Sequence, residues 1–188
     1  MELMRLGGPM MWPLLILSIA ALGLIVERFL VISPYRVPKG ITVLSTESDV
    51  MTSLKNSDHL ALFREVLATK KDEISIGIAG QSVVAVMEKR LGLLSVIAKT
   101  ATLMGLLGTI LGMIDAFSVI AATTTGVDMT KLAEGLWQAL ITTATGLFIA
   151  IPTYLFVAYF EARVREMANF LTLAGNIVLQ QPQVNQNA

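Results

Sequence analysis

The sequence predicts an all-α membrane protein in which three transmembrane helices carry cytoplasmic helical extensions. Three observations lead there. Of 188 residues, 54% are hydrophobic and only 15% charged, and the mean hydropathy is +0.69, well outside the range of a soluble domain. Three stretches are free or nearly free of charge over the roughly 20 residues that an α-helix needs to cross a bilayer. Finally, Lys and Arg are concentrated in two parts of the chain.

In chain order, residues 1–32 read as a periplasmic N-terminus and a first span, with Leu6 to Val26 uncharged. Pro9 and Pro13 suit a helix start, where a missing N–H costs little. A cleaved signal peptide is the competing reading. Against it, Met1 to Leu6 holds one acid and one base, and Glu27-Arg28 is followed by further apolar sequence, Phe29 to Ile32. Residues 33–98 are mixed polar and read as a cytoplasmic helical segment. Pro34, Pro38 and Gly40 interrupt helix at its start. Leu60, Phe63 and Leu67 then recur at helical spacing behind Ser57-Asp58 as an N-cap, and Val83, Val86, Met87, Arg90, Leu91 and Leu94 predict a helix continuous with the second span.

That second span, 99–122, runs uncharged from Thr100 to Ile114, meets Asp115, and continues apolar through Phe117, Val119 and Ile120. A periplasmic loop is expected at 123–134. The third span, 135–160, holds 26 uncharged residues from Gly135 to Phe160, enough for about 39 Å of helix. Residues 161–188 are expected to form a cytoplasmic tail, disordered from Gln180, where Pro182 lies among Gln and Asn. Of the 14 basic residues, ten lie between Arg28 and Lys99, and Arg163 and Arg165 lie in the tail; only Arg5 and Lys131 lie elsewhere. The positive-inside rule therefore places the N-terminus outside and the C-terminus in the cytoplasm.

Composition also excludes several functions. Lys plus Arg and Asp plus Glu both number 14, so no net charge draws the chain to nucleic acid. With no cysteine and one histidine, neither a thiolate nor a multi-histidine metal site can form. His59 reads as a solvated surface residue, and no Ser-His-Asp set supports catalysis. No cofactor or metal is expected.

The spans carry two patterns. Small residues recur every three or four positions: Gly105, Gly108, Gly112 and Ala116 in the second span, and Gly135, Ala139, Thr143, Gly146 and Ala150 in the third. Such ridges let helices approach closely. A phosphate-loop reading fails, because no Gly-Lys-Ser/Thr closes the run. The second pattern is polar: Thr109 in span two, and Gln138, Thr142, Thr143 and Thr145 in span three. One Thr alone reads as helix glue, but Gln138, Thr142 and Thr145 share a face by spacing, and that face must meet another subunit, another protein or water. Between Thr100 and Ile114, and between Gly135 and Phe160, no side chain binds and releases a proton near neutrality. Asp115 and Glu134 stand only at the expected outer mouths. A protein that moved protons with these helices would need its membrane acid from a partner helix.

The run from Gly7-Gly8-Pro9-Met10 to Glu27-Arg28-Phe29, then Gly105-Leu-Leu-Gly-Thr109 with Gly112, then Ala139-Leu-Ile-Thr142-Thr143 with Gly146 and Pro152, resembles the MotA/TolQ/ExbB proton-channel family, in particular its ExbB/TolQ branch. The resemblance implies an inner-membrane proton-channel subunit in a homopentameric bundle. Its pore would hold single-span ExbD- or TolR-like partners, each with a membrane Asp, and the proton motive force would do mechanical work on a TonB-like or TolA-like protein. Thr109 then matches the pore-facing Thr of the second span and Thr143 the Thr of the third, and these two with Thr142 and Gln138 are the expected proton-pathway or pore-lining residues. Gln138 stands where ExbB proteins often have Glu, which leaves open whether Glu134 substitutes. A non-conducting structural oligomer and a MotA-like flagellar stator are the alternatives.

Overall fold

The computed structural model describes residues 8–35, 37, 45–55, 57–69, 72–122 and 129–180, and every regular element among them is helical. These are α1 (Met11–Ile32), α2 (Glu47–Leu54), a 3-10 turn (Asp58–Leu60), α3 (Ala61–Thr69), α4 (Glu73–Glu88), α5 (Leu91–Ala122) and α6 (Met129–Gln180). Three reaches are long and apolar enough to cross a membrane: α1, the reach Glu73–Ser118, and α6. The first seven residues, Pro38 and Gly40, positions 123–128 of the expected loop and positions 181–188 of the tail expected to be disordered from Gln180 lie outside the described residues, while Gln180 itself is the last residue of α6.

The helices end elsewhere than the charge-free runs do. Helix α5 begins at Leu91 and α6 at Met129, so Lys131 and Glu134 lie within the first turns of α6 rather than in a loop. At its other end α6 continues to Gln180, through the region expected to be a tail. There Val164, Met167, Leu171, Ala174 and Val178 are buried at three- and four-residue intervals, an amphipathic stripe that keeps a charged helix folded. Pro152 sits inside α6 and cannot donate to the carbonyl of residue 148.

The helix expected to run unbroken from Val83 into the second span is interrupted. Helix α4 stops before Lys89, whose ψ of 130° is not helical, and Arg90 has φ 67°. A non-glycine residue in the left-handed region is held there by its surroundings; those contacts are described below.

The chain forms two compact units. One comprises Met1–Val26 with Gly92–Ala158. Its buried cluster is Met11, Leu14, Ala101, Ile149 and Ala150, with Leu17 and Met104 packed against it. Large apolar side chains face outward on all three helices, among them Ile16, Ile19, Leu22, Leu103, Ile110, Leu140 and Phe148. So much exposed apolar surface suits lipid or other subunits rather than water.

The other unit comprises Glu27–Leu91 with Tyr159–Ala188. Leu60, Phe63 and Leu67 are buried, as their spacing predicts, together with Ile76, Ala79, Val83 and Met87 of α4. Ser57 supplies no side-chain cap to the turn that follows it. Asp72 does cap α4, its carboxylate accepting from the Ser75 amide at 2.9 Å. Before α2, the Thr46 amide donates to Asp49 Oδ2 at 2.8 Å, and this bond holds the Asp49 carboxyl below its ordinary value.

Candidate functional site

The small-residue ridges meet each other. Helices α5 and α6 run antiparallel, and a methyl group placed on Gly105 would lie 3.2 Å from Thr143 Cα and 3.3 Å from Gly146 Cα. One turn on, a methyl at Gly108 would fall 2.6 Å from Thr142 Cβ; next, one at Gly112 would fall 2.9 Å from Ala139 Cβ, and Gly135 faces Ala116 at 2.7 Å. At the far end Gly146 abuts the Ala101 carbonyl oxygen. All five glycines singled out for packing, Gly105, Gly108, Gly112, Gly135 and Gly146, therefore belong to one contact within the chain, where backbones approach through the space that side chains would fill.

The threonines sit along this contact. Thr143 Oγ1 donates to the Gly105 carbonyl at 2.7 Å. By α-helical register the same carbonyl accepts from the Thr109 amide, so one oxygen ties Thr143 to the turn that carries Thr109. Both threonines remain partly exposed. Thr109 Oγ1 donates within its own helix, to Leu106 O at 2.6 Å. Thr142 differs, being fully buried and donating to Gln138 O and Ala139 O at 2.7 and 2.9 Å. Its side chain supports the α5–α6 contact. Thr145 is partly exposed and donates to Ile141 O at 2.8 Å.

Gln138 lies apart from the Thr109–Thr143 pair. Its Nε2 occupies the space that a Cβ on Gly8 would need, 1.9 Å away, and Gly8 has φ +66°. Only glycine suits that turn, which lies against Gln138 of the third span. Asp115 and Glu134 are both exposed. Among the described residues no group of three or more Asp, Glu and His is placed to hold a metal ion.

By sequence Glu27-Arg28 stand between two apolar runs, Leu6 to Val26 and Phe29 to Ile32. In the structure Arg28 is 3% exposed. Its guanidinium donates to the Lys89 carbonyl at 2.7 Å and the Val86 carbonyl at 3.5 Å, and to Glu27 Oε1 at 3.0 Å. Arg28 thus caps the C-terminus of α4, where a cation and donors are favoured. The second Glu27 oxygen accepts from Arg90. These bonds secure both residues of the break between α4 and α5. The available signal was a charged pair embedded in an apolar run, since such charges need partners.

Comparison with known proteins identifies the family. The sequence profile described as the MotA/TolQ/ExbB proton channel family matches residues 53–172, from α2 through most of α6. The chain is 35% identical to Biopolymer transport protein exbB1 of Vibrio cholerae over 172 residues, covering 80% of this chain and 74% of that one. A putative ExbB-like biopolymer transport protein of Synechocystis is 29% identical over 190 positions, covering 92% and 90%. The Tol-Pal system protein TolQ of Pseudomonas aeruginosa is 36% identical over 77 residues, 41% of this chain and 33% of that protein. The chain therefore belongs to the MotA/TolQ/ExbB proton channel family, and is a multi-pass membrane protein and channel component of the ExbB/TolQ kind, not an enzyme.

Proposed function

We propose that this chain assembles with further copies of itself, as a pentamer, in a bacterial inner membrane, with its N-terminus periplasmic and its C-terminus cytoplasmic. Together with a single-span ExbD- or TolR-like partner bearing a membrane Asp, it converts proton motive force into mechanical work. The work is delivered to a TonB-like or TolA-like protein in biopolymer transport or envelope maintenance. The observation that carries this reading is the joining of Thr143 to the Thr109 turn through Gly105 O, in a reach of both helices that holds no Asp, Glu, His, Lys or Arg. Such a face is polar enough to receive a protonatable group and supplies none of its own. Each proton crossing releases about 2.3 kcal/mol per 100 mV.

One observation favours a second reading, a non-conducting structural oligomer: Thr142 and Thr143 both spend their protons on bonds inside the chain. Proton uptake into vesicles under an imposed potential separates the two. Vesicles with this chain alone should stay tight, and those with chain and single-span partner should acidify. Flux that never appears with the partner bound would favour the structural oligomer.

A further inference from the structure

We propose that the cleft between the end of α1 and α6 binds the phosphodiester of an anionic phospholipid. A cavity of about 140 Å³ lies there, lined by Phe29, Ile32 and Ser33 at the end of α1 and by Tyr159, Phe160 and Arg163 of α6. All six residues belong to the unit that comprises Glu27–Leu91 with Tyr159–Ala188. Their level is a membrane boundary, because α1 ends at Ile32 and the uncharged run of α6 ends at Phe160. Tyr159 stands where aromatic rings with a polar tip collect. Phe160 is fully buried and Ile32 is 2% exposed, so they give the cavity an apolar floor, while Phe29 and Tyr159 are each half exposed beside it.

What marks this cavity is unspent donor capacity. A guanidinium carries five N–H groups, and among the described residues Arg163 spends one position, Nη1 donating to Glu166 Oε2 at 2.8 Å. Glu166 is 53% exposed, and an ion pair so open to water holds the fork only weakly. Neither Ser33 Oγ nor Tyr159 Oη has a hydrogen-bond partner among the described residues. Arg163 also caps no helix, unlike Arg28: the carbonyls of Phe29 and Ile32 accept instead from the Ser33 and Tyr35 amides at 2.9 and 3.0 Å. A guanidinium fork matches two phosphate oxygens, and the two hydroxyls can donate to the same group. Arg163 is the one charged residue in the lining, so no acid there repels an anion. The volume is well below that of a pocket for a drug-sized molecule and suits a phosphate with its ester oxygens. Glycerol and acyl chains then stay outside, along the exposed rings of Phe29 and Tyr159, an apolar surface that a free phosphate would leave unused. None of the residues of the proton path proposed above takes part.

The test follows lipid retention by the full-length chain in dodecylmaltoside, read by native mass spectrometry during titration with phosphatidylglycerol or with phosphatidylcholine of the same acyl chains. Both lipids carry the phosphodiester, but the choline cation of the second cancels the charge that Arg163 attracts. Phosphatidylglycerol should bind at least about tenfold more tightly, the scale of one charge-assisted hydrogen bond. Arg163→Gln should bring it down to the phosphatidylcholine level, and Arg163→Lys should recover part of the difference. Arg165→Gln removes the same charge two residues on, at a side chain 69% exposed and outside the cavity, and should leave both affinities unchanged. If Arg163→Gln fails to fold, Ser33→Ala combined with Tyr159→Phe removes both hydroxyls and should weaken phosphatidylglycerol about tenfold. Equal loss in Arg163→Gln and Arg165→Gln would show diffuse attraction to basic residues and overturn the site, as would equal affinity for the two lipids in the unaltered chain. Millimolar inorganic phosphate should leave the lipid in place; its displacement by phosphate would make the ligand a free anion and overturn the assignment to a phospholipid.

Discussion

Gly146→Val is expected to force α5 and α6 apart. A first methyl on Gly146 would lie 2.7 Å from the Ala101 carbonyl oxygen and 2.9 Å from Gly105 Cα. Both are backbone atoms, so no rotamer change relieves the overlap, and valine adds two further carbons. The cost is about 3 kcal/mol, on the order of a hundredfold in the folded-to-unfolded ratio. Separation would also break the bond from Thr143 to Gly105 O, so the polar face would be lost with the contact. Gly23→Ala is the control, because nothing lies within 4 Å of the added methyl and alanine favours helix by about 1 kcal/mol. Unfolding in mixed detergent should resolve the two, with the midpoint falling for Gly146→Val and holding or rising for Gly23→Ala. Equal midpoints would show that the ridges do not carry the contact.

Arg28→Ala should release the junction between α4 and α5. It removes the donor from the Lys89 carbonyl and leaves Arg90 as the remaining partner given to Glu27 by these ion pairs. A buried cation with carbonyl and carboxylate partners is worth about 2 to 3 kcal/mol against alanine. Amide exchange in the last turn of α4 should accelerate on the order of thirtyfold or more. Arg28→Lys should recover only part of this, because one ammonium cannot reproduce the guanidinium fork that reaches Lys89 O and Glu27 Oε1 together. Exchange unchanged by Arg28→Ala would mean that the left-handed Arg90 is held by something else.

The spans and the small-residue ridges were legible because hydrophobicity and helical spacing are properties of single segments. Where the helices end was not. A reading that stops at the first charge halts at Glu161, yet α6 continues because Val164, Met167, Leu171, Ala174 and Val178 keep one buried stripe among charged neighbours. That spacing was present to be read. The pairing of Gly105 with Thr143 and Gly146, by contrast, depends on the register of two helices, which neither ridge specifies alone. The same limit hid the division among the hydroxyls: Thr142 and Thr143 are adjacent in sequence, but one is fully buried against Gly108 and the other tied to Gly105. That Arg28 needs partners was legible from a charged pair in an apolar run, but the break at Lys89 was not, since no glycine or proline marks positions 89–90 and the bonds that hold them come from α1.

The central claim is that protons pass by way of an acid received at the Thr109–Thr143 face. Its most direct measurement is proton uptake into vesicles holding the chain and its single-span partner, compared for the unaltered chain, Thr143→Val and Thr143→Ser. The account predicts that valine lowers flux up to about tenfold, as for loss of one hydrogen bond at the acid, while the partner still co-purifies, and that serine restores it. Undiminished flux with valine at position 143 and the partner bound would contradict it.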